Sequence, residues 1–443
     1  MTRIEDPAQL LLAITRGHRP RSEWGLGLEY EQFVTDHQGR PLPYSGAGGV
    51  EELLRCLARR TGWQEEEEEG RLLALRAPDG RSVTLEPGAQ IEFGSGICPT
   101  LGELDRQVKE YFGHLAALSS EFPVCFVALG SHPTAGPEEI ERIPKARYGI
   151  LEPHLAQAGD LGLWMMKATA GVQVNFDHED AADAALKLRT AFALSPVLTA
   201  LFANSPLRAG RHSGFAAWRG YVWSKTDPFR CGLVEACIRE ESTLQDYVDW
   251  ALKAPMLFVV RDARLLDLRG RTFGEYLRRG RGGLHATLAD WELHLSTLFP
   301  EVRFRPQLEL RCLDTGPPGR TLAGCALVKG IFYDPQALQA AWELTASWSA
   351  AERLAAWHAA HFQGLSAPAP GGGLLLDLAR ELLGLVRLER EEAAFLSPLK
   401  ALAAAGRSPG ETLSIRLEEE WGGSVRQLVA SSLCVPSGSP AVF

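Results

Sequence analysis

The sequence predicts an α+β fold in which strands and helices alternate first and a helical flank follows, and three observations carry that prediction. Four short strand-like segments place polar or charged side chains two residues apart in apolar surroundings: GLGLEYEQF with Glu29 and Glu31, PGAQIEFG with Gln90 and Glu92, GVQVNFD with Gln173 and Asn175, and LELRCLD with Glu309 and Arg311. Amphipathic helical patterns lie between them. Past residue 335 the pattern is almost wholly helical, through ALQAAWELTASW, SAAERLAAWHAAHF, LLLDLARELLGLVRLEREEAAF and a last helix over RQLVASSL.

From the N-terminus, residues 7–17 and 49–62 read as amphipathic helices, with strands near 24–35 and 71–94 around them. The acidic run Glu65 to Glu69 reads as a solvated strand entry or turn, because like charges repel and seek water. A long helix follows over about 100–122, then the strand VCFVALG and the loop HPTAGPEEIERIPKARYG, rich in Pro and charge. Residues 181–203 form another helix, with an acidic cap at its start and a stop near the Ala-Asn-Ser-Pro of 203–206. No internal repeat is visible, and only APAPGGG at 367–373 resembles a linker. The reading is one catalytic unit over 1–443, with 335–443 as a mainly helical C-terminal portion packed on it.

With 443 residues, 45% of them hydrophobic, the chain can bury a sizeable core. The apolar stretch around Leu194 to Phe202 reads as too short for a membrane span, and MTRIEDPAQLLLAITRG as an early charged helix rather than a signal peptide, so a soluble cytoplasmic protein is expected. A net charge of -9 argues against nucleic acid as a partner, since affinity for phosphate backbones needs a concentrated basic surface. Eight cysteines, at 56, 98, 125, 231, 237, 312, 325 and 434, show no CxxC and no zinc spacing, and read as reduced, mostly buried thiols. Small-molecule substrates and a monomer or homodimer are the expectation for partners.

The usual nucleotide and hydrolase signatures are missing: there is no GxxxxGK[ST], no strand-linked GxGxxG, no GxSxG and no HExxH. His358 and His361 in AWHAAHF have a helical i, i+3 spacing but no obvious third ligand, which favours a surface or core pair. The strand pairs carry more chemistry. Side chains alternate across a strand, so each i, i+2 pair points to one face. Glu29, Glu31, Glu86, Glu92 and Glu309, with the amide of Gln173, would supply oxygen ligands for Mg²⁺, which combines a few carboxylates with substrate phosphates. Arg311, two positions from Glu309, would clamp a transferring phosphoryl group. Such a face suits ATP-dependent phosphoryl transfer to a carboxylate; the alternative is an ordinary solvated sheet face.

GLEYEQF, SVTLEPGAQIEF, IPKARYGIL, GLWMMKATAGVQVNFD, ALFANSP, WRGYVWSKTDPFRCG, YVDWALKAPMLFVVR, DWELHLSTLFPEVR and LELRCLD occur in order, and together they resemble glutamate–cysteine ligase of the plant and proteobacterial type over about residues 5 to 430. The resemblance implies a glutamine-synthetase-like antiparallel sheet curved into a half-funnel that holds ATP and Mg²⁺. It also implies the reaction, in which ATP phosphorylates the γ-carboxylate of L-glutamate and the amine of L-cysteine attacks the acyl phosphate, the first step of glutathione or related thiol biosynthesis. Mapped here, Glu29, Glu31, Glu86, Glu92, Gln173 and Glu309 become the metal ligands. Arg311 and Arg219 become the catalytic pair, with Arg311 on the transferred phosphate of the nucleotide. Arg147 and Arg219 would hold the glutamate α-carboxylate, while Thr169, Asn175 and Trp291 line its pocket.

The chain departs from the family pattern at Ala168 and Ala170, where an Arg and a Cys are usual, and at Tyr30, where His is usual. The segment after LELR, CLDTGPPGRTLAGCA, also differs. On the expectation that these changes border the substrate pocket, they leave open a γ-glutamyl ligase of the same mechanism with a different amine acceptor. No match to the redox cysteine pairs of the plant enzymes is seen, so no disulfide switch is expected. A catalytically silent member is disfavoured by the intact carboxylate set, because mutually repelling Glu residues have no reason to stay together without a cation.

Overall fold

The computed structural model describes residues 2–435. At its centre is an open, nine-stranded sheet, antiparallel throughout. Its first seven strands are β1 (Leu26–Thr35), β2 (Gln64–Glu68), β3 (Arg71–Arg76), β4 (Ser82–Leu85), β5 (Ile91–Gly94), β6 (Cys125–Val127) and β7 (Gly171–Phe176). Strands Val302–Phe304 and Leu308–Asp314 complete it. From one edge the order is Val302–Phe304, Leu308–Asp314, β7, β1, β5, β4, β3, β2, with β6 paired to the end of β1. This is the expected α+β architecture.

Alternation along β1 decides which face is which. Leu26, Leu28 and Tyr30 are buried on the back of the sheet, so Gly27, Glu29 and Glu31 face the front. Helices Leu101–Glu121 and Pro318–Phe332 cover the back, where Phe112 packs on Tyr30 at 5.4 Å, Tyr111 stacks on Phe93 at 4.6 Å and Phe332 meets Phe176 at 4.8 Å. Aromatic pairs at such separations add about 1 kcal/mol each beyond area burial.

Glu69 of the acidic run opens a turn, and Glu65 to Glu68 before it lie in β2, an edge strand. Its carboxylates are spread over two arginines, Arg55 taking Glu65 and Glu67 at 3.0 Å each and Arg76 taking Glu66 at 3.1 Å. A charged edge also blocks pairing with another chain. Helix Ala181–Phe202 begins at Asp180, whose side chain accepts from the Asp183 N–H, as the acidic start signal predicts. At 22 residues it is long and apolar enough to cross a membrane by length and composition, which corrects the expectation of a short apolar stretch; 83% of its apolar window is buried inside the protein.

In the C-terminal portion the expected single helix over 374–395 is shorter. It runs Leu375–Leu385 and breaks where the Arg387 N–H turns to the Gly330 carbonyl at 2.9 Å, before a second helix, Ser397–Ala405. His361 lies fully buried beside Trp357, at a ring separation of 4.7 Å, as a core residue.

Candidate active site

The front faces of β1, β5 and β7 form one wall of a cavity of about 480 Å³. Register places Glu31 directly opposite Glu92 and Glu29 opposite Gln173. Two carboxylates across a ladder repel, so this arrangement is costly without a cation. Glu31 accepts from the Gly171 N–H at 2.6 Å and from Gln173 Nε2 at 2.7 Å. Glu92 accepts from the Thr84 hydroxyl at 2.7 Å, and Asn175 Nδ2 donates to Glu29 at 3.2 Å. Glu86 reaches the same cavity from the turn before β5. Gln90 braces that turn, accepting from the Gly88 N–H at 2.8 Å and donating to the Thr169 carbonyl at 2.8 Å, so its amide is used up in support.

Burial, then the charge of Glu86, pushes the Glu31 carboxyl up to about 7. Glu92 is raised well above the carboxylate range by burial and by Glu86, Glu29 and Glu31, and Glu29 is raised by burial and by Glu309. Gln173 Oε1 is a buried acceptor without a donor. Among the described residues no three His, Cys, Asp or Glu side chains converge into a ready ion cage. A dispersed set of hard oxygen donors with one orphaned amide oxygen nonetheless fits Mg²⁺, which keeps waters and shares its coordination with phosphates.

A carboxyl raised in the folded state stabilises the fold at low pH and loses that contribution as pH rises through its folded value. For Glu31 the window runs from the ordinary 4.5 to about 7, and Glu29 and Glu92 act in the same direction. The metal-free protein is therefore expected to melt lower at about pH 8 than at about pH 6, with Mg²⁺ raising Tm more at the higher pH. Thermal melts with Mg²⁺ or with chelator check this; an equal Mg²⁺ effect at both values contradicts it.

The cavity is also lined by basic side chains, Lys145, Arg147, Arg303, Arg305 and Arg311. Glu309 sits among the guanidiniums: Arg303 binds it through two hydrogen bonds at 2.9 and 2.8 Å, Arg305 lies at 3.5 Å, and Arg311 donates to it directly. Burial alone would raise its pKa, but Arg303, Arg311 and Arg305 hold the carboxyl far below the usual range. Unlike Glu29, Glu31, Glu86 and Glu92, it is already committed to arginine. The ladder between β7 and Leu308–Asp314 breaks between Leu310 and Leu313, and there the Arg311 N–H donates to the Glu301 carbonyl at 2.9 Å. A bulge re-aims the residue it contains.

Arg147 and Thr169 line the cavity; the Thr169 hydroxyl is tied to the Met165 carbonyl at 2.7 Å. Arg219, only 3% exposed on helix Trp218–Ser224, lies behind Arg311 and donates to its carbonyl at 3.1 Å. It lines a small recess next to the main cavity rather than the cavity itself.

Trp291 corrects an expectation. It is fully buried between Phe273 and His294, at ring separations of 5.0 and 6.0 Å, with Nε1 donating to the Leu10 carbonyl at 3.2 Å. Helix Leu288–Leu295 turns it into the core, away from the cavity. Trp291→Phe is expected to lower stability by about 1 kcal/mol through the lost hydrogen bond and to leave steady-state kinetics unchanged; a raised KM for glutamate would return Trp291 to the site.

The departures Ala168 and Ala170 are likewise out of the wall. Ala168 packs with Ala135, Ile140 and Trp164, and Ala170 with Phe33, Val127 and Leu129, while Thr169 between them faces the cavity. Lys167 pairs with Glu152 at 3.5 Å, and the Tyr30 hydroxyl donates to the Gly316 carbonyl behind the sheet. Residues absent from the sequence reading are Trp223, Glu301, Arg303 and Arg305. The pair Arg303 and Arg305 repeats the i, i+2 spacing, and Trp223 stands one helical turn after Arg219, so both were open to pattern; nothing local marks Glu301.

A family model described as glutamate–cysteine ligase family 2 matches residues 25–431. The chain is 35% identical over 426 residues to the chloroplastic glutamate–cysteine ligase of Brassica juncea, covering 94% of this chain and 82% of that protein. It is 34% identical over 435 residues to chloroplastic glutamate–cysteine ligase B of Oryza sativa subsp. japonica, covering 96% and 86%. Among solved structures it is similar to a glutamate–cysteine ligase from Francisella tularensis in complex with AMP, with a TM-score of 0.59 and 12% identity over 92% of this chain and 88% of that one, a likeness of fold.

Proposed function

The chain belongs to glutamate–cysteine ligase family 2 and is a ligase, and on that premise we propose that it joins the γ-carboxylate of L-glutamate to the amine of L-cysteine with conversion of ATP to ADP and phosphate. The observation that carries this reading is the mixed lining of one cavity, in which Glu29, Glu31, Glu86, Glu92 and Gln173 stand beside Arg147, Arg303, Arg305 and Arg311. The oxygen donors suit a divalent cation and the guanidiniums suit anionic oxygens. The AMP bound to the Francisella ligase supports nucleotide use.

Bound Mg²⁺ would neutralise phosphate charge and draw triphosphate oxygens to the carboxylates. The chain's own residues do the rest. Arg311 steadies the oxygens of the transferring phosphoryl group as the glutamate γ-carboxylate attacks it. Arg147 and Arg219 hold the α-carboxylate, for which a planar guanidinium fork is suited. Thr169 and Asn175 border the bound chain of glutamate. The neutral amine then attacks the acyl carbon, the carbon–oxygen bond to phosphate breaks, and the amine proton is released. No enzyme nucleophile is required, and rate enhancement comes from holding amine and acyl phosphate together in a confined site.

Because Ala168 and Ala170 face away from the cavity, they give no support to a different acceptor. Purified protein with ATP, Mg²⁺ and glutamate is expected to release ADP when cysteine is added, and less with 2-aminobutyrate or a panel of other amines. No stimulation by any amine overturns the ligation scheme, and faster turnover with another amine overturns the assignment of cysteine.

A further inference from the structure

Among the described residues, Glu68 is the carboxylate of β2 that no arginine takes. Glu65 and Glu67 go to Arg55 and Glu66 goes to Arg76, whereas Glu68 accepts a hydrogen bond from the Ala146 N–H at 2.8 Å. Alternation puts Glu66 and Glu68 on one face of the strand, and Arg76, the partner of Glu66, lines the main cavity. Glu68 is also the partly buried member of an otherwise exposed strand.

What Glu68 holds is the entry to helix Tyr148–Ala158. Its sequence, YGILEPHLAQA, is a weak helix former, with Gly149 in the first turn and Pro153 inside, and Arg147 ahead of it supplies no side-chain cap. The first N–H groups of such a helix need an acceptor from elsewhere. Glu68 brings one from the sheet edge, and a carboxylate at a helix N-terminus also meets the favourable end of the helix dipole. Lys145, Arg147, Tyr148 and Leu151, around this entry, all line the main cavity.

Arg147 depends on that backbone. Its Nε is buried without a partner, and its guanidinium lies over the Phe258 ring at 5.9 Å. Its aim is therefore set by the main chain, which is tied by the Ile143 N–H to the Pro87 carbonyl at 3.0 Å and, one residue from Arg147, by Glu68.

We propose that Glu68 is a positioning residue for ligation: by capping the entry of helix Tyr148–Ala158 from the neighbouring sheet edge, it aims Arg147 at the α-carboxylate of glutamate. This rests on the ligase reading above. That carboxylate is unchanged by the chemistry, so a loosened Arg147 weakens ground state and transition state alike and shows in KM.

Glu68→Ala is expected to raise KM for L-glutamate about fivefold, with kcat within about twofold of wild type, as befits a lost cap. Amide exchange at Tyr148 to Leu151 is expected to quicken by about fivefold or more. Glu68→Gln keeps an acceptor oxygen and is expected to hold both readouts within about twofold of wild type. Glu67→Ala removes a carboxylate of the same strand that serves only Arg55, and is expected to move neither. In an Arg147→Ala background, Glu68→Ala is expected to raise KM no further, because the two act through one contact. An unchanged KM in Glu68→Ala, folded by circular dichroism, overturns the proposal. So does an equal rise in Glu67→Ala, which would mark a loosened edge strand, a Glu68→Gln no better than Glu68→Ala, or a full further rise in the Arg147→Ala background. Failure of the ligase reading shows separately, as wild type that releases no ADP with any amine, while amide exchange is read without turnover.

Discussion

Arg311→Lys is expected to lower kcat by about 10³-fold while KM for glutamate changes little, because lysine keeps the charge but loses the planar fork that addresses two phosphoryl oxygens together. Three features aim Arg311. Glu309 grips its guanidinium, the bulge between Leu310 and Leu313 turns its backbone, and the Glu301 carbonyl holds its N–H. Glu309 and then Glu29 keep the guanidinium firmly protonated despite burial. The fold should tolerate the change, since Arg303 and Arg305 still compensate Glu309. Steady-state kinetics and a thermal melt check both halves; kcat within tenfold of wild type would show that Arg311 does not face the transferring group.

Glu309→Gln is expected to abolish turnover and, unlike a simple ligand loss, to destabilise the metal-free protein by about 3 kcal/mol. It removes the anion that three guanidiniums share and leaves Arg303 and Arg311 buried with like charges adjacent. Glu31→Gln provides the contrast. It relieves repulsion at the Glu31 to Glu92 pair, so the metal-free protein should melt at the same or a higher temperature while its Mg²⁺-dependent rise disappears. Denaturant titrations with chelator separate the two. Equal behaviour of the variants would place Glu309 with the metal carboxylates instead of with the arginines.

Much of the front face was legible because period-two alternation is a property of the chain itself. Glu29 with Glu31, and Gln173 with Asn175, had to share a side once their segments were strands, whereas their ladder partners were set by the sheet. The same rule, carried back from β7, would have set Ala170 opposite Thr169, whereas Ala168 ends helix Gly162–Ala168 and follows another period. The concern about the amine acceptor arose from reading a motif as a block rather than as two faces. Trp291 was placed at the pocket by the resemblance of its segment alone, and helix Leu288–Leu295 turns it into the core.

The sequence by itself determined the α+β class, the polar strand face and the carboxylate set, since each depends on spacing within one segment. Tertiary structure alone decided what those groups meet. That Glu309 is shared by three arginines, that Arg311 sits on a bulge and that Glu301 lies beside Arg219 all depend on strands and helices far apart in the chain being packed together. Contacts of that kind have no local period, and burial, which sets the charge state of Glu31, Glu92 and Glu301, exists only once the chain has closed around them.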